Sequence, residues 1–147
     1  MMGRVCKIAS VLALAALPTG AVADKGVSMA QFSEAKNRIS EFSERLGAYA
    51  ACYEFVGFIR KAGYQTDTGG VIKTLFQGAV DPAKLRTGFL ETLEGDGFSF
   101  EQMMMLDRML TDAEEKAIAE TRAQLTSSDD KKMIRICSLA RGQIKRQ

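Results

Sequence analysis

The sequence predicts an all-α fold, a single domain of five or six helices bundled around one long central helix and stapled by one disulfide. Three observations lead to that expectation. Apolar residues recur at helical spacing in segment after segment, no stretch alternates like a half-buried strand, and only two prolines, Pro18 and Pro82, interrupt the chain.

Residues 1–23 are set apart from the fold. Arg4 and Lys7 precede the apolar run from Ile8 to Leu17, and Ala21-Val22-Ala23 comes just before the charged Asp24. This is the pattern of a secretory signal peptide cut after Ala23, and the run is too short to span a bilayer, which takes about 20 residues. Cys6 leaves with this segment. The expected product is a helical domain of residues 24–147, exported to the periplasm or secreted. Since Arg4 and Lys7 are the segment's charges, the 20 basic and 18 acidic residues of the chain become 18 and 18 over the remaining 124. A neutral exported domain has no electrostatic reason to seek nucleic acid.

The central helix is expected from Ser28 to Gly63. Phe32, Ala35, Ile39, Phe42, Leu46, Tyr49, Tyr53 and Val56 follow at alternating spacings of three and four, so they form one stripe. Ser28 with Gln31 reads as a capping box, Val27 with Phe32 as a hydrophobic staple, and Gly63 with Tyr64 as the closing turn. Up to Arg45 the flanks are polar. From Leu46 to Ile59 the charged residue is Glu54 alone, so this half must be surrounded, either as domain core or as an interface with another copy.

Cys52 on that half and Cys137 near the C-terminus are the pair left after cleavage, and an oxidising compartment joins such a pair. Beyond a polar turn broken at Gly69-Gly70, Val71 to Val80 suggests a short helix. Asp81 then caps a third helix with Pro82 at its first position, Leu85, Phe89 and Leu93 on its buried side and Gly95 at its end. Ser99 and Gln102 repeat the capping box, and Phe98 and Met103 the staple, for a fourth helix. Thr111 followed by Glu114 looks like a further cap, so a break is expected there. Ser127 or Ser128, followed by Asp129 and Asp130, opens a last helix lined by Met133, Ile136, Cys137, Ala140 and Ile144, with Lys145 and Arg146 at its negative end.

The chemistry is bounded by the absence of histidine. It removes the usual general base, the partner of a Ser or Cys nucleophile, and the commonest transition-metal ligand. A calcium loop placed with Gly97 sixth would put Met103 at the twelfth position, where glutamate belongs, so no metal or other cofactor is expected. Glu54 has helical neighbours that cannot compensate its charge. Solvent exposure, or a structural ion pair with an arginine of the last helix such as Arg135 or Arg141, is the reading preferred over catalysis.

Met103-Met104-Met105 cannot all face one core, which leaves Met105 as a candidate contact. Nine acids between Glu91 and Glu120 against Arg108 and Lys116, and six bases without an acid from Lys131 onward, are read first as helices attracting one another. The expected function is that of a small exported binding protein without catalysis, which binds or inhibits another envelope protein. A carrier of lipid or another apolar ligand, using Phe55, Phe58, Phe76 and the methionines, is the second reading. A carboxylate-dependent polysaccharide hydrolase is the third.

Overall fold

The computed structural model describes residues 26–62 and 67–145, with side chains throughout except at 58–62, 67 and 145. Five helices and no strand are present among them: α1 (Met29–Ala62), α2 (Asp67–Leu75), α3 (Pro82–Glu94), α4 (Phe100–Ser127) and α5 (Asp130–Lys145). The expected signal peptide, the closing turn at Gly63 and Tyr64, and Arg146 all lie outside the described residues.

Helix α1 is the axis. Its contacts with α4 advance in step along both helices, from Val27 beside Gln102, through Gly47 against Ala117, to Glu54 paired with Arg122, so the two run parallel. Helices α3 and α5 run back against α1. Arg38 meets Asp96 while Phe42 stacks on Phe89, and Cys52 meets Cys137 while Arg141 lies over the Tyr49 ring.

The stripe runs through two core clusters. Phe32, Ala35, Ile39, Phe42 and Leu46 pack with Leu93, Leu106 and Leu110 of α3 and α4. Tyr49, Ala51, Cys52 and Val56 pack with Ile72, Phe76, Leu125, Cys137, Ala140 and Ile144. Tyr53 is only half-buried at its place on the stripe. Full burial of each large side chain removes about 1.5–3 kcal/mol of apolar hydration cost. From Leu46 to Val56 the apolar half of α1 is therefore domain core, packed on α2, α4 and α5.

The disulfide joins α1 to α5, with Cα atoms 5.6 Å apart and both cysteines fully buried. Both capping boxes form. The Gln31 amide N–H donates to the Ser28 hydroxyl and the Ser28 N–H to Gln31 Oε1; Ser99 and Gln102 repeat this. Gln102 also accepts from the Val27 N–H at 3.1 Å and donates to the Val27 carbonyl at 3.2 Å, which ties the starts of α1 and α4 together.

Several boundaries differ from the sequence reading. No break occurs near Thr111, because its hydroxyl donates to the Asp107 carbonyl within the helix and Glu114 turns to Arg86 instead of capping. Leu106, Leu110, Ala117, Thr121 and Leu125 hold a single buried line through that point. The last helix is capped by Asp129, which accepts from the Lys132 N–H, while Ser127 still belongs to α4. Helix α2 begins at Asp67, runs through Gly69-Gly70 and ends at Leu75, short of the expected Val80. Burial of Ile72 and Phe76 outweighs a helix penalty of about 1 kcal/mol per glycine.

Candidate functional site

The largest exposed apolar side chains cluster by the capped end of the α1–α4 pair. Met29 and Phe100 each hold the first helical position after a serine cap, and they are 81% and 79% exposed. The Gln102 bonds to Val27 place these two starts side by side. One turn further along α4, Met104 is 54% and Met105 56% exposed, while Met103 is half-buried against Leu106 and its neighbours. Phe100 and Met104 stand four residues apart and share a face, with Met105 beside them on the helix circumference. Met105 was legible as an outward methionine. Phe100 was missed, although a residue directly after the Ser99 cap falls off the stripe that Met103, Leu106 and Leu110 define.

A second feature is an open groove of about 390 Å³ between α1 and α3. Phe42 and Phe89 stack on its floor at 4.1 Å between ring centroids, and Arg38 and Arg45 stand along its α1 side. Arg38 bonds Asp96 at 3.2 Å and lies 5.9 Å from the Phe89 ring centre. Arg45 has no ion pair among the described residues.

The candidate residues of the last helix do not meet Glu54. Its carboxylate pairs with Arg122 of α4, and both side chains are half exposed, so the pair contributes no more than about 1 kcal/mol. Arg141 points inward instead, its Nε donating to the Leu75 carbonyl at 3.3 Å and its guanidinium 6.0 Å from the Tyr49 ring centre. Arg135 is exposed on the outer face of α5. Phe55 is half-buried against the core, Phe76 belongs to that core, and the Phe58 side chain lies outside the described residues.

The most enclosed charges lie between α3 and α4. Arg86 bonds Asp107 at 2.9 Å and the Thr111 hydroxyl, while its Nε lies 3.4 Å from Glu114 but is buried without an aligned acceptor. Burial raises the Glu114 carboxyl above the ordinary 4.5, with Arg86 pulling it down and Glu115 pushing it up by smaller amounts. Burial likewise raises the Tyr49 phenol above 10.0, partly offset by Arg141. The Tyr49 hydroxyl donates to the Val80 carbonyl at 2.6 Å.

Among the described residues no three of His, Cys, Asp and Glu gather where they could hold a metal ion, and no helix is long and apolar enough to cross a membrane. Comparison of the chain with protein-family models, with curated proteins and with solved structures returns no match.

Proposed function

We propose that the chain is a small exported binding protein that holds another envelope protein against the capped end of α1 and α4. The observation that carries this reading is the exposure of Phe100 in the company of Met29, Met104 and Met105. An aromatic anchor with adaptable methionines nearby on the same helix is the composition of a contact surface, since the ring offers large area and methionine conforms to irregular apolar shapes. The groove between α1 and α3 is open and bordered by two arginines, which suits a polar chain segment better than an acyl chain. Glu54 is held in an ion pair with Arg122 at the surface, which favours a structural role for it over glycoside hydrolysis.

The test compares capture from an envelope extract by the native chain and by a Phe100→Asp, Met104→Asp variant, analysed by mass spectrometry. One protein is expected to be enriched by the native chain and lost with the variant. Retention of the same proteins by both chains overturns the reading, as does enrichment of the chain's own second copy alone. A cell-wall-degrading activity abolished by Glu54→Gln would overturn the reading in favour of the hydrolase.

A further inference from the structure

We propose that the outer face of α5 is a docking surface for an anionic lipid bilayer, separate from the partner-binding end. The inner line of α5 is fixed by Cys137, Ala140 and Ile144, all buried, and by the bond from Cys137 to Cys52 on the axial helix. Helical spacing then turns Lys132, Arg135 and Leu139 outward on one line, with Lys131 beside it. All four are exposed, and Leu139 is 60% exposed.

These cations are not consumed within the fold. The sequence allowed them to attract the acids of α4, but among the described residues none of the three forms an ion pair. Asp107 and Glu114 are turned to Arg86, and Glu120 to Lys116. The acids at the start of α5 lie off the outer line. Asp129 accepts from the Lys132 backbone N–H at 2.8 Å, and Asp130 falls two turns before Cys137, on the inner line.

The face therefore offers three unpaired positive charges and one aliphatic side chain over about 12 Å of helix, from Lys131 to Leu139. An acidic phospholipid surface is complementary to both parts. Its headgroups form a planar array of anions for the cations, and its acyl boundary lies a side chain's depth below for Leu139. The disulfide keeps the face in place, so docking orders little that is not already ordered. Each cation near such a surface strengthens binding about fivefold, so all three together amount to about a hundredfold.

The experiment is cosedimentation of the chain, purified as the cell exports it, with phosphatidylglycerol and with phosphatidylcholine vesicles. Native chain is compared with a Lys131→Gln, Lys132→Gln, Arg135→Gln variant and with Leu139→Ser. Because every chain shares the same N-terminus, differences belong to α5. The expected result is binding to phosphatidylglycerol that weakens as salt rises. The triple variant should lose about a hundredfold, Leu139→Ser should lose less, and phosphatidylcholine should bind weakly throughout. Absence of binding to anionic vesicles at low salt overturns the proposal, as does equal binding to both lipids or no salt dependence of the native chain. Retention on an acidic protein matrix without vesicle binding assigns the face to a protein and overturns it too.

Discussion

Gly47 on α1 lies so close to Ala117 on α4 that a methyl group built on it would stand 2.3 Å from the Ala117 Cβ and 3.0 Å from the Ala117 backbone. The two longest helices cross there with backbone nearly on backbone. Helix propensity alone would reward Gly47→Ala by about 1 kcal/mol. Because the clash includes backbone atoms, the helices must separate, at a cost of about 1–3 kcal/mol. Urea denaturation should show a net loss for Gly47→Ala. At Gly88, in the middle of α3, nothing lies within 4 Å of the added methyl, and Gly88→Ala should gain about 0.5–1 kcal/mol. Changes of the same sign at both positions would contradict the close crossing.

Removing the Cys52–Cys137 bond should destabilise the fold strongly. The cysteines are 85 residues apart, and in the chain-entropy model closing such a loop constrains the unfolded chain by about 4–5 kcal/mol. A Cys52→Ser, Cys137→Ser chain, or the native chain under a reductant strong enough to open a buried bridge, should unfold at markedly lower denaturant. An unchanged midpoint in the double variant would show that the bond adds nothing to folding.

Tyr49→Phe should cost about 1 kcal/mol at neutral pH by leaving the Val80 carbonyl without its donor. The effect also has a pH signature. A phenol raised in the folded state contributes stability that is fully present below 10.0 and lost as pH climbs through the folded value. The alkaline fall in stability should therefore be shallower in the phenylalanine variant, as measured by denaturation between neutral and strongly alkaline pH.

Glu114 should work in the opposite range. Its carboxyl is raised by burial, so the folded state holds the proton more tightly than the unfolded chain does. Its contribution is most favourable below 4.5 and declines as pH rises through the folded value. Measured against Glu114→Gln, the native chain should gain stability as pH falls from neutral towards 4.5. A difference that stays flat or declines on acidification would mean that Arg86 dominates over burial.

Local signals carried most of the fold. The caps at Ser28, Asp81 and Ser99 involve neighbours two or three residues away, so residue type and spacing suffice to find them. The cysteine pairing followed from compartment and parity. The reading went astray where a distant partner decides. Thr111 and Glu114 carry a cap's spelling, yet Arg86 of another helix engages both. Glu54 found Arg122 because α1 and α4 run parallel, a relation that no local pattern encodes, while Arg141 was drawn inward to Tyr49 and Leu75. Of the exposed end, Met105 could be read from three consecutive methionines. Met29 and Phe100 sit at two helix starts that are far apart in sequence and are tied together by the Gln102 side chain's bonds to Val27.

The bond between the first and last helices turns most of the molecule into a ring that holds all of α2, α3 and α4. A protease that nicks any connection between residues 53 and 136 therefore leaves a single covalent particle, whose fragments part only when a thiol is added. That closure makes a first proteolytic cut survivable.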